Sequence, residues 1–78
     1  MGKERYINRL NEIMTKYKLD GGFLHSTYHE GFETGNFESC YIDDRIKNGS
    51  KAKKEIAILL DEYFSEYTEV KKPLYSYK

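Results

Sequence analysis

Apolar side chains recur at intervals of three and four from Tyr6 to Tyr17. Between Phe23 and Ile42 the pattern, rich in aromatic residues, reads as the two-residue period of strands, and it returns to three and four from Ala52 to Tyr67. These changes of period constrain the chain more than any motif does, because side chains share a face about every 3.6 residues on a helix and every two on a strand. The first block places Tyr6, Ile7, Leu10, Ile13, Met14 and Tyr17 on one stripe, with Lys3, Arg5, Arg9, Glu12 and Lys16 between them. It predicts an amphipathic helix over 3–19. Asp20-Gly21-Gly22 ends it, since glycine accepts the left-handed backbone that closes helices.

The middle block predicts strands over 23–32 and 37–42, joined by the turn residues Glu33-Thr34-Gly35-Asn36. A loop of two or four residues would put Leu24, Tyr28 and Phe32 on one aromatic core face with Phe37 and Tyr41, against which the helices would pack. The other face would then hold Phe23, His25, Thr27 and His29 with Glu38, Cys40, Ile42 and Asp44. A three- or five-residue loop would pair the aromatic row with Cys40 and Ile42. The first register is preferred because it separates apolar from polar side chains.

Asp43 to Ser50 reads as a connector with a turn at Asn48-Gly49 and Ser50 as N-cap. A second helix is expected over 51–68, burying Ala52, Ile56, Leu59, Leu60, Tyr63, Phe64 and Tyr67. Its charges oppose its own dipole, with Lys51, Lys53 and Lys54 near the start and Asp61, Glu62, Glu66 and Glu69 toward the end. The pair Lys51 and Glu55 offsets part of this. Two copies packed antiparallel would match basic ends to acidic ends and cover Ile58. A homodimer through Ile58, Lys51, Lys54, Asp61 and Glu62 is therefore one expectation. Pro73 ends the helical region, and Leu74 to Tyr77 is available as an edge strand. The fold expected is a single α+β domain over 1–78 of order α-β-β-α, its central hairpin packed by two amphipathic helices, with the short C-terminal edge strand as an addition.

Formal net charge is zero, which argues against a general nucleic-acid binder. The zero conceals strong segregation. Residues 3–18 are net +3, 20–44 net −6, 45–54 net +5, 55–69 net −5 and 71–78 net +3. The 25 residues from Asp20 to Asp44 contain no Lys or Arg, and they hold both histidines and the sole cysteine. Blocks of this kind create local fields that an evenly mixed surface would cancel. One cysteine excludes an internal disulfide, so the fold does not depend on an oxidising compartment. The start of the chain lacks a signal-peptide apolar region, and no stretch approaches the roughly 20 apolar residues of a membrane span. A cytoplasmic setting without membrane contact is expected.

His25 and His29 would lie about 13 Å apart along one strand face, too far to share a metal, whereas on a helix they would be one turn apart. In the preferred register His29 approaches Cys40. That pair alone falls short of a four-ligand zinc site, and as nucleophile and base it lacks a pocket and an oxyanion partner. Metal binding through His29 and Cys40 is kept as an alternative; no catalytic residue, metal or cofactor is assigned. Asp43-Asp44 with Glu30 or Glu38 carries too little specificity for a magnesium site, and no Gly-rich phosphate loop is present. The basic segment 45–54, with Arg45, Lys47, Lys51, Lys53 and Lys54, supplies the other alternative, a nucleic-acid-binding regulator.

The acidic hairpin supports the main expectation. Glu30, Glu33, Glu38, Tyr28, Asp43 and Asp44 would present negative charge and an aromatic anchor to a basic protein surface, such as that of a nucleic-acid-binding protein. The expected function is a small non-enzymatic interaction module, an inhibitor or regulator. In size and in its Lys-, Ile-, Asn-, Tyr- and Glu-rich composition the chain matches small proteins that phages and mobile elements encode against host defence.

Overall fold

A computed structural model describes residues 2–75. Three helices follow one another: α1 (Gly2–Lys16), α2 (Phe23–Thr34) and α3 (Gly49–Glu66). The α+β expectation is overturned, because there is no strand and no hairpin among the described residues. Where the first strand was expected stands α2, and where the second was expected runs an irregular connector.

The correction has a specific cause. Leu24, Tyr28 and Phe32 are spaced by four, an interval that repeats on one face of a helix as well as on one face of a strand. The adjacent Gly31 joins that face, and Tyr28, Gly31 and Phe32 are all buried. The strand expectation rested on the aromatic residues Phe23, Tyr28 and Phe32, since Thr27 is the one β-branched residue of 23–32. Gly35, at φ 80°, closes α2 while its N–H donates to the Gly31 carbonyl at 2.7 Å. The glycine assigned to a hairpin turn is thus a helix terminus.

The other two helices follow the expected stripes. Tyr6, Leu10, Ile13 and Met14 of α1 are buried, as are Ala52, Ile56, Ala57, Leu59, Leu60 and Tyr63 of α3. Ile7, Tyr17, Phe64 and Tyr67 are only partly covered. At the start of α3 the N-cap is Asn48 rather than Ser50, which lies inside the helix. α1 ends earlier than Asp20-Gly21-Gly22. Leu19 N–H donates to Met14 O at 2.7 Å and Lys18 N–H to Thr15 O at 3.1 Å, with Lys18 left-handed at φ 60°. This is the closing pattern in which glycine is usual, here carried by a lysine. Lys18→Gly is therefore expected to raise stability by roughly 0.5–1 kcal/mol through relief of that backbone. Urea denaturation checks this, and an unchanged or lower midpoint would count against strain at Lys18.

α1 packs against both other helices. On its inner side Tyr6 stacks on Phe32 of α2, with centroids 6.0 Å apart, and meets Tyr63 of α3 edge to face at 5.1 Å. Phe37 of the connector closes the cluster, 5.0 Å from Phe32 and 5.4 Å from Tyr63. Phe37, Cys40 and Ile42 are fully buried, so the connector supplies core that a surface loop would not. Its fold depends on the chain beyond α3. Phe37 N–H donates to Lys71 O at 2.7 Å and Lys71 N–H to Gly35 O at 2.8 Å, one isolated parallel bridge. No edge strand forms at Leu74 and Tyr75; Ser76 and Tyr77 lie outside the described residues.

α1 also answers the charges of α3. Arg5 pairs with Glu66 at 3.0 Å, Arg9 with Glu62 at 2.8 Å and Lys16 with Glu55 at 3.1 Å. The partners' numbers fall on α3 as they rise on α1, which marks an antiparallel pair. Glu62 and Glu66, two of the acidic groups that oppose the α3 dipole, thus meet opposite charge within the same chain. Exposed pairs of this kind contribute little stability each, so their main effect is on how the two helices register. α1 lies antiparallel to α3 and meets part of its acidic charge, while Ile58 stays exposed.

Candidate functional site

The acidic stretch becomes a helical face. With Leu24, Tyr28, Gly31 and Phe32 turned inward, the 100° step per residue places Phe23, Ser26, His29, Glu30 and Glu33 on the opposite side of α2. The exposure pattern agrees: Phe23, Ser26, Glu30 and Glu33 are exposed and His29 is half-covered. α2 has no Lys or Arg, so its outward charge is carboxylate alone. Glu30 and Glu33, three residues apart, stand side by side on that face. Phe23, 69% exposed, sits at its N-terminal end as an apolar anchor. The hairpin expectation also set Phe23 on the outer face, and it is the large apolar residue of 23–34 that falls off the 24/28/32 stripe.

The other expected partner-binding residues separate. Tyr28, expected on the aromatic core face yet also counted among the partner-binding residues, is fully buried and hydrogen-bonds through its hydroxyl to that of Tyr75. Burial and that bond push its ionisation far above the ordinary tyrosine range. Glu38 lies in the turn after α2, 3.6 Å from Lys71. Asp43 accepts from the Arg45 side chain at 2.7 Å and from the Arg45 N–H at 2.9 Å, and these bonds hold its carboxyl down at about 2. Asp44 is 3.9 Å from Lys53. Glu38, Asp43 and Asp44 are thus each near a Lys or Arg side chain, so Glu30 and Glu33 are the core of the candidate surface.

The histidines take the helical spacing rather than the strand spacing, with ring centroids 5.9 Å apart. His25 Nε2 bonds Asn11 Oδ1 of α1 at 2.7 Å, and His29 Nδ1 lies 3.4 Å from Glu33 Oε1. Both rings are therefore engaged by side chains. Cys40 packs inward beneath α2, its thiol donating to the Thr27 carbonyl at 3.3 Å. Burial pushes that thiol up to about 11, so at neutral pH it is neither a thiolate nucleophile nor a ready metal ligand. The close pairing of His29 with Cys40 came from the hairpin register and goes with it. No group of three His, Cys, Asp or Glu side chains is placed to hold a metal ion among the described residues.

The basic segment 45–54 is partly neutralised where it meets the connector, through the Arg45–Asp43 and Lys53–Asp44 pairs. Lys51 and Lys54 are exposed at the start of α3. Of the remaining residues expected at a dimer contact, Glu62 is engaged by Arg9 and its carboxyl is held below the usual range by that bond. Asp61 is exposed and Ile58 is 60% exposed, flanked by Arg9, Glu12 and Glu55. No helix among the described residues is long and apolar enough to cross a membrane. No family model matches the chain, and neither does any curated protein or solved structure.

Proposed function

We propose that this chain is a non-enzymatic protein-interaction module, an inhibitor or regulator that sets the outer face of α2 against a basic protein surface. The observation carrying this reading is the contrast between two sets of charges. Three carboxylates of α3 are met by Lys or Arg side chains of α1, whereas Glu30 and Glu33 face outward on a helix without Lys or Arg; near Glu33, among the described residues, stand only His29 at its carboxylate and Lys3 of α1 at its backbone carbonyl. Two adjacent carboxylates fit the guanidinium and ammonium groups of a basic partner, and Phe23 beside them supplies apolar area at the same contact. A fitting partner class is a nucleic-acid-binding protein, whose own surface is cationic for another reason.

Charge complementarity of this kind acts chiefly on association rate and is weakened by salt. Glu30→Lys/Glu33→Lys should therefore bind the partner at least about tenfold more weakly, mostly through slower association. The measurement is affinity capture from the source cell with both proteins, followed by surface plasmon resonance on whatever the unaltered chain retains. The α2 reading fails if the charge-reversed protein captures the same proteins with the same kinetics. Glu38→Lys serves as the internal comparison, because Glu38 lies near Lys71 and outside α2; its effect should be smaller.

A further inference from the structure

The turn that ends α1 and the turn that begins α3 face each other across a cleft of about 230 Å³. Its walls include Lys16, Lys18 and Lys47, with Tyr17, Leu19 and Ile46 as its apolar part; the neighbouring carboxylate, Glu55, is taken up by Lys16 and the Tyr17 hydroxyl. Lys16 is paired with Glu55, but neither Lys18 nor Lys47 has a carboxylate within 4.0 Å among the described residues. The Glu55 carboxylate answers Lys16, so the positive potential of the cleft comes from Lys18 and Lys47. Such a site gains by taking up an anion.

A second observation falls in the same place. Lys18 and Asn48, at φ 60° and 63°, are the non-glycine residues with positive φ among the described residues, and both line this cleft. Asparagine tolerates that backbone, whereas lysine has no intrinsic reason to occupy it. At a helix end where glycine would serve the fold better, the chain keeps a side chain whose distinguishing property is its charge. Strain retained in this way is a mark of a functional position.

We propose that the cleft binds a small phosphate-bearing molecule, with Lys18 and Lys47 on the phosphate oxygens and Leu19 and Ile46 against its carbon skeleton. Lysine suits phosphate as a compact point charge with rotatable donors. The cleft's size and its mixed lining favour a single phosphorylated metabolite over a polymer, which would need a cationic track extending beyond these residues. This site is separate from the α2 face and stands whether or not that face binds a protein.

The test is calorimetric titration of the full chain at low salt with adenosine monophosphate, adenosine, inorganic phosphate and a short single-stranded oligonucleotide. Adenosine monophosphate should bind saturably with one site per chain, inorganic phosphate more weakly, and adenosine not measurably. Lys18→Gly and Lys47→Ala should each weaken binding of the monophosphate by about tenfold, the loss of one charge-assisted contact. Lys18→Gly is the informative variant, since it is expected to be more stable than the parent and its lost binding is not lost folding. Lys72→Ala, away from the cleft, should leave binding unchanged. No saturable binding of the monophosphate, its full retention in both cleft variants, or binding of the oligonucleotide alone would each overturn the proposal.

Discussion

Phe37→Ala is expected to lower stability by about 3–5 kcal/mol, the range for deleting a fully buried phenylalanine ring. Phe37 is completely enclosed, and its ring meets Phe32, Tyr63 and Phe64 edge to face, at 5.0, 5.4 and 5.4 Å. It is also the point at which the connector is tied to the chain beyond α3, through its N–H to Lys71 O. Removing the ring leaves a cavity bounded by side chains from two helices and loosens the connector that covers them. A domain of this size holds roughly 3–5 kcal/mol in its core, so the variant should be mostly unfolded near physiological temperature. Circular dichroism during urea titration reads the outcome. A loss below about 1 kcal/mol would mean that the connector does not depend on Phe37 for its place in the core.

Gly31→Ala is expected to be destabilising by about 1–3 kcal/mol, opposite in sign to the usual effect. In a helix interior alanine is normally favoured over glycine by about 1 kcal/mol. Here a Cβ on Gly31 would stand 2.6 and 2.7 Å from Cδ1 and Cε1 of Phe37. That ring is packed against Phe32, Tyr63 and Phe64 and has no free volume to retreat into. The collision also predicts coupling. In a Phe37→Leu background the added methyl should cost clearly less, because the ring edge it meets is gone. Additive effects in the double variant would show that the close approach of α2 to Phe37 does not limit position 31. Together the two substitutions test one structural claim, that the connector is seated against a bare patch of α2 backbone.

That claim concerns the part of the fold least legible in the sequence. The stripes of α1 and α3 were readable because Tyr6, Leu10, Ile13 and Met14, and Ala52, Ile56, Leu59, Leu60 and Tyr63, follow helical spacing and no other. For Leu24, Tyr28 and Phe32 the interval of four satisfied both periods. Gly35-Asn36 fitted a hairpin turn as well as a helix end. The core tipped the balance, since a helix brings Phe32 onto Tyr6 and Tyr63 and opens the space beside Gly31 that Phe37 fills. The same ambiguity governed the candidate site. Its acidic character was plain from composition, but a different period assigns different residues to the outside. Cys40 and Ile42 moved in, Tyr28 stayed in and Phe23 stayed out, and the approach of His29 to Cys40 disappeared.

By itself the sequence determined where two helices lie, which of their residues face inward, and that charge comes in blocks. These follow from local periodicity and from the kinds of side chain present, neither of which requires knowing what packs against what. Only the tertiary structure decided that the basic face of α1 answers the acidic face of α3, that 23–34 is a helix, and that Lys16 and Lys18 share a cleft with Lys47. Each of those facts joins residues far apart in the chain. Contacts between distant residues are selected by burial and steric fit across the whole core, and no local spacing records them.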